Sequence, residues 1–218
     1  MFRPSANVYI DGFNLYYGCI RGSRHKWLDL AKWCRFAIQE YSIHRIRYFT
    51  AVVLPRPNDP LIQQRQLTYL RALRTIPNLS IHEGFFKQTQ QRVRLVSPIP
   101  CIAPVPCIGQ TVLAHKTEEK GSDVNLATFL LIDAVDGDAD VSVVVSDDTD
   151  LLEPIRLVRQ RFGRDVLVLN PHRGRQLNRD LRQVATSYRT LTVPPLRACQ
   201  FPRMLSDANG VITKPATW

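Results

Sequence analysis

The sequence predicts an α/β fold with a mostly parallel central sheet and helices on both faces. Three observations lead there. Short apolar, β-branched runs alternate with segments of helical period along most of the chain. The runs are nearly continuous in apolar residues, as strands buried on both faces are. Polar residues collect just after them, at strand carboxyl ends, where ligands of open α/β sheets sit.

Each element has its own warrant. Asn7–Ile10 is a short apolar run ending at Asp11-Gly12, and predicts a buried strand. Leu28–Gln39 carries apolar residues in a helical pattern (Leu28, Leu30, Ala31, Trp33, Cys34, Ala37, Ile38). Ile43–Leu54 is β-rich and stops at Pro55-Arg56-Pro57. Asp59 and Pro60 predict the N-cap and first position of a helix to about Ile76. Leu79–Phe86 predicts a strand, and Arg92–Val96 and Thr111–His115 flank a Pro-rich loop, Ser97–Gly109, too long for a tight hairpin. Ser122 predicts the N-cap of a helix to about Val135. Val141–Val145 is a β-branched strand, and Asp150–Phe162 a helix that tolerates Pro154 in its first turn and closes at Gly163. Val166–Leu169 predicts a strand and Gln176–Val184 a helix. After Pro194-Pro195 the tail reads as irregular.

The composition excludes several classes. At 218 residues, 44% hydrophobic and 22% charged, the chain is neither disordered nor fibrous. No apolar run nears the roughly 20 residues that span a bilayer. The opening MFRPSANVYIDGFN has no signal-peptide apolar core, so a cytoplasmic protein without a membrane partner is expected. Five cysteines, an odd number, fit reduced thiols. Cys101 and Cys107 stand farther apart than the C-x₂₋₄-C pairs of structural zinc sites. No P-loop or G-x-G-x-x-G sequence occurs.

The net charge of +10 is unevenly distributed. Glu118–Glu153 holds eleven acidic residues and one lysine, so that window carries −10 and the remainder +20. Basic surface suggests a polyanionic partner, and a carboxylate cluster within it suggests a bound cation. Asp11 and Asn14 follow the first strand, Thr50 lies late in the second, Asp147, Asp148 and Asp150 follow Val141–Val145, and Asn170 follows Val166–Leu169. All can converge at one rim, with Asp123 joining them if its helix N-terminus faces that way. Crowded carboxylates repel unless a cation compensates, and oxygen ligands suit Mg²⁺ or Mn²⁺. Such sites serve phosphodiester cleavage.

Three segments carry a family resemblance. Asn7–Tyr17 reads NVYIDGFNLYY, Glu119–Ala127 reads EKGSDVNLA, and Val145–Ile155 reads VSDDTDLLEPI. In this order they resemble the NYN domain family, relatives of the PIN-domain ribonucleases and LabA-like proteins. The resemblance implies a three-layer α/β/α, PIN-like (Rossmann-like) fold and divalent-metal-dependent RNA cleavage. It implies Asp11, Asp123, Asp148 and Asp150 as metal ligands and catalytic residues, with Asn14 as a further catalytic residue. Asp147 departs from the pattern, in which that position is usually Gly or Asn. The expected organisation is one NYN unit over residues 1–190, with a Pro-rich insertion near 97–109, and an irregular extension, 191–218, packed on it.

Blander roles compete for each residue. Asp11-Gly12 can be a turn, Asn14 and Asp148-Thr149-Asp150 can be caps, and Asp123 can answer the helix dipole. Asp136, Asp138 and Asp140 read as a solvated loop, and Glu118 and Glu119 as peripheral. For RNA, single-stranded or structured, the candidate contacts are Arg173 and Arg175 near the rim and Lys87, Arg92 and Arg94 in a second patch. Phe13, Tyr16 and Tyr17 offer stacking faces, although at that spacing core roles compete. The sequence therefore predicts a metal-dependent ribonuclease using Mg²⁺ or Mn²⁺. Three points stay open: a homo-oligomer, a non-catalytic RNA- or partner-binding domain with a vestigial metal site, and a phosphatase with an aspartyl nucleophile. The last is disfavoured by Phe13, where a second carboxylate is usual.

Overall fold

A computed structural model describes residues 3–94, 111–172, 178–191 and 194–218. The Pro-rich insertion, Cys101, Cys107, Arg173 and Arg175 lie outside them. Seven strands form the main sheet: Ser5–Asp11 (β1), Ser42–Ala51 (β2), Leu79–Arg94 (β3), Thr111–Lys120 (β4), Val141–Val145 (β5), Asp165–Asn170 (β6) and Ser187–Thr190 (β7). Their order is β4-β3-β2-β1-β5-β6-β7, parallel throughout except for the antiparallel β3–β4 pair. The expected α/β class and mostly parallel sheet are therefore present.

The central strands are buried on both faces, and their alternation splits the core in two. Val8, Ile10, Val143, Val145, Leu167 and Leu169 face one layer. Tyr9, Val144, Val166 and Val168 face the other. The first layer is closed by Leu30–Ala37 (α2) and Ile62–Leu73 (α3), through Trp33, Leu70 and Leu73. The second is closed by Ser122–Asp136 (α4), Leu152–Phe162 (α5) and Arg179–Val184 (α6), through Leu126, Leu130, Ile155 and Leu181. Gly137 and Gly163 end α4 and α5 with positive φ, as C-terminal glycines do.

Several boundaries differ from the sequence expectation. Gly12–Leu15 (α1), continued by a π-helical turn over Tyr16–Ile20, was not anticipated. Helix α3 starts at Ile62 rather than at the Asp59-Pro60 pair, because Asp59 closes a turn with Arg56 and binds the Arg65 side chain. Strand β3 runs unbroken for 16 residues and pairs with β4 as a two-stranded arm, where two shorter strands were expected. Helix α4 is capped by Gly121 in left-handed geometry, and Ser122, the expected cap, is its first residue. The tail is ordered rather than irregular, with Pro194–Ala198 (α7) and a hairpin of Met204–Asp207 (β8) and Gly210–Thr213 (β9). It is held by buried Trp27, whose indole N–H donates to the Pro202 carbonyl at 2.8 Å, and Trp218 packs on Trp27 and Tyr69.

Two acidic residues expected in a solvated loop instead fasten β1. Asp140 accepts from the Ser5 amide at 2.7 Å, and Asp138 from Asn7 Nδ2 at 2.8 Å. That loop leads into β5, which lies alongside β1 in parallel, so its carboxylates meet the start of β1. Asp136 alone of the three is exposed with no partner among the described residues.

Candidate metal centre

The sheet order reverses direction between β1 and β5, so the carboxyl ends of these two strands flank the topological switch point. Asp11 ends β1 and caps α1, its Oδ1 accepting from the Asn14 amide at 2.9 Å. Only a glycine fits next: a Cβ on Gly12 would stand 2.7 Å from the Phe49 carbonyl and from the Tyr48 ring. The other Asp11 oxygen accepts from the Ser146 hydroxyl at 2.9 Å. The Ser146 hydroxyl in turn accepts from the Asp148 amide at 3.1 Å, which ties the ends of β1 and β5 together. Asp148 caps the 3₁₀ turn Thr149–Leu151 through the Asp150 amide at 2.9 Å.

Asp123 arrives on the first turn of α4. Gly121, at φ 98°, turns β4 into that helix. Glu119 supports the turn, accepting from the Ser122 amide at 3.1 Å and from its hydroxyl at 2.7 Å. Gly84 of β3 leaves room for it, since a Cβ there would stand 2.4 Å from Glu119 Oε1.

Asp11, Asp123 and Asp148 thus each present one oxygen, all within 4.8 Å of one another. Asp11 is 4% exposed. Burial raises its carboxyl above the usual aspartate range, and hydrogen bonds from Asn14 and Ser146 partly offset this. Asp123 is pushed up to about 7, first by burial and then by the charges of Asp11, Asp148, Glu119 and Asp150. Such mutual repulsion is relieved by a cation. Hard oxygen donors in this number suit a divalent ion of the Mg²⁺ or Mn²⁺ type that retains part of its water shell. The residues present therefore fit the expected metal.

Other predicted residues take different places. Asp150 is exposed and outside the trio, and its charge adds to the repulsion on Asp123. The Asn14 side-chain oxygen accepts from the Asp147 amide at 3.1 Å and lies 2.9 Å from His172 Nε2, which makes it a brace rather than an open ligand. Asp147 points to Tyr188, whose hydroxyl donates to it at 2.8 Å, away from the trio's grouping. Phe86 and Gln88 of β3 wall the cavity, so strand alternation puts Lys87 on the far face and Arg92 and Arg94 on the near one.

The trio opens into a cavity of ≈ 590 Å³ also lined by Glu119, Arg56, Tyr17 and His172. Sequence reasoning placed Glu119 at the periphery, near enough in sequence to support Asp123, and passed over Ser146, Arg56 and His172. Glu119 and Ser146 had a signal, each sitting inside a quoted motif. His172 and Arg56 had none, because they reach the cavity only through the fold.

The profile described as NYN domain matches residues 5–192. The 6-hydroxy-3-succinoylpyridine 3-monooxygenase HspA of Pseudomonas putida (strain DSM 28022 / S16) is 34% identical over 97% of this chain and 74% of its own length. A crystal structure of VPA0982, a protein of unknown function from Vibrio parahaemolyticus RIMD 2210633, superposes with a TM-score of 0.52 at 18% identity, covering 87% of this chain and 94% of that one. It shares the fold, which is PIN-like. The carboxylate trio and the sheet that gathers it both fall within the matched span, and the chain belongs to the NYN domain family.

Proposed function

We propose that the protein is a divalent-metal-dependent ribonuclease that hydrolyses RNA phosphodiester bonds at Asp11, Asp123 and Asp148. The observation that carries the reading is the convergence of these three carboxylates in an open cavity of a basic NYN protein. Mg²⁺ or Mn²⁺, when bound, supplies Lewis-acid polarisation of the phosphoryl group and acidifies water. The three aspartates hold the ion, and Asp150 deepens the negative field around it. Ser146 and the Asn14 amide orient Asp11. The Asn14 oxygen takes a backbone N–H, so it is an acceptor, and His172 meets it through a protonated Nε2. Asn14 and His172 thus tie the segments that follow β1 and β6 together beside the reacting phosphate. Arg56 on the cavity wall and Arg92 and Arg94 on the near face of the arm offer phosphate contacts, joined by Arg173 and Arg175 next to His172 in sequence. Lys87 serves RNA binding only along the arm's outer face.

The test is cleavage of RNA and DNA, single- and double-stranded, with Mn²⁺, Mg²⁺ or EDTA. Wild type should cleave RNA only with metal. Asp11→Asn and Asp148→Asn should lose at least about a hundredfold in rate while keeping the native circular dichroism, in line with removal of a group that stabilises transition-state charge. Full activity in EDTA or in either variant would sink the proposal. The name of the Pseudomonas relative supplies a second reading, oxygenation of a hydroxypyridine. Oxygen uptake on 6-hydroxy-3-succinoylpyridine with a supplied reductant, and no RNA cleavage, would favour it.

A further inference from the structure

A second cavity, ≈ 160 Å³, lies beside the acidic one and shares Phe13, Tyr17, Val53 and Arg56 with it. Its chemistry is the opposite. Arg21, Lys26, Arg56 and Arg65 line it against one carboxylate, Asp59. Asp59 is engaged by Arg65, and the nearby Arg56 and Lys26 charges hold its carboxyl further below the usual range. Among the described residues, Arg21, Lys26 and Arg56 form no ion pair.

Aromatic rings supply much of the remaining wall, beside aliphatic residues such as Leu15, Ile20 and Ile62. The π-helical turn Tyr16–Ile20 presents Tyr16 and Tyr17 edge to face, with ring centroids 5.2 Å apart. Such turns concentrate at functional sites. The Arg21 guanidinium stands 5.3 Å from the Tyr17 centroid, and the terminal Trp218 faces the same cavity. Tyr17 is 47% exposed, so its ring face is open to a ligand.

We propose that this cavity is a nucleotide subsite, which takes one unstacked base of the RNA strand whose scissile phosphate lies at the aspartate trio. The base packs among Tyr16, Tyr17 and Trp218, and the flanking phosphate is held by Arg56 and Lys26. Aromatic faces stack any base, and cations track the backbone, which is how single strands are held without sequence readout. Arg56, common to both cavities, positions the strand across the boundary from the basic to the acidic side. A continuous duplex cannot insert a stacked base, so the subsite selects strands unpaired next to the cleaved bond. This inference rests on the ribonuclease reading for the strand's identity.

The test has two arms. In the first, uridine 5′-monophosphate, adenosine 5′-monophosphate and ribose 5-phosphate are titrated calorimetrically into the full chain, wild type, Tyr17→Ala and Arg56→Ala. Both nucleotides should bind at least tenfold more tightly than ribose 5-phosphate, Tyr17→Ala should remove that margin, and Arg56→Ala should weaken all three ligands. In the second, one abasic residue is moved through a single-stranded RNA around the cleavage site. One position next to the cut should lower kcat/KM at least tenfold in wild type and not further in Tyr17→Ala. Equal binding of ribose 5-phosphate and nucleotides, no sensitivity to the abasic residue, or displacement of both nucleotides by 6-hydroxy-3-succinoylpyridine would each overturn it. Tyr17-dependent nucleotide binding by a chain that cleaves nothing would support the subsite while sinking the ribonuclease reading.

Discussion

Asp123 carries the sharpest residue-level consequence. Its carboxyl is pushed up to about 7 from the ordinary 3.8. Between those values the folded chain holds a proton that the unfolded chain has released. Its contribution to stability is thus fully present at low pH and declines as pH rises toward 7. Above 7 Asp123 is charged, and a divalent ion both binds best and relieves most of the repulsion on it. The thermal midpoint should therefore rise more on adding Mn²⁺ at pH 8 than at pH 5. An equal rise at both would place the ion elsewhere. The three converging aspartates were legible because each sits in a short local motif. The brace formed by Asn14 was not, since the amide it holds, that of Asp147, is 133 positions away in sequence. The same holds for His172, whose distance from Asn14 is 158 positions.

At the scale of elements, two tight arrangements make separable predictions. Gly84 on β3 faces the turn into α4, where a Cβ would strike Glu119 and the Lys120 carbonyl, both at 2.4 Å. Gly84→Ala should push the start of α4 outward and lower metal affinity, measured by titration calorimetry, more than it lowers thermal stability. Farther along the same helix, Asp133 of α4 is buried, accepting two bonds from Arg47 of β2 at 2.7 and 2.8 Å and one from Tyr9 of β1 at 2.8 Å. Asp133→Ala leaves Arg47 buried and unpaired, so about 3–5 kcal/mol of stability should be lost in denaturant unfolding. Cleavage per folded molecule should persist, because Asp133 does not belong to the trio. Periodicity located most strands and helices but missed the start of α3 and the unbroken β3. In both cases a long-range or side-chain partner, Arg65 for Asp59 and β4 for β3, outweighed the local signal.

Across the whole molecule, charge is segregated by position in the fold. The carboxylates from Glu118 to Glu153 do not act as one field. Asp123 and Asp148 reach the centre, Asp133, Asp138 and Asp140 fasten β1 and β2, and Glu118 pairs with Lys116 and Lys120 on the arm. The basic remainder includes the four cations of the neighbouring cavity. RNA affinity should fall with salt, with a log–log slope near about −2 if three phosphates of a single strand are neutralised. A flat dependence would exclude backbone contacts from binding. No helix among the described residues is long and apolar enough to cross a membrane. The α/β class and the mostly parallel sheet were legible in the sequence, because hydrophobic period is a local property, and of the four aspartates that short motifs singled out, Asp11, Asp123 and Asp148 converge. The order of strands, the juxtaposition of Asp11 with Ser146 and Asp148, the brace at Asn14 and the aromatic, basic cavity were decided only in three dimensions. Each depends on chain segments far apart in sequence being brought together by burial of both faces of the sheet.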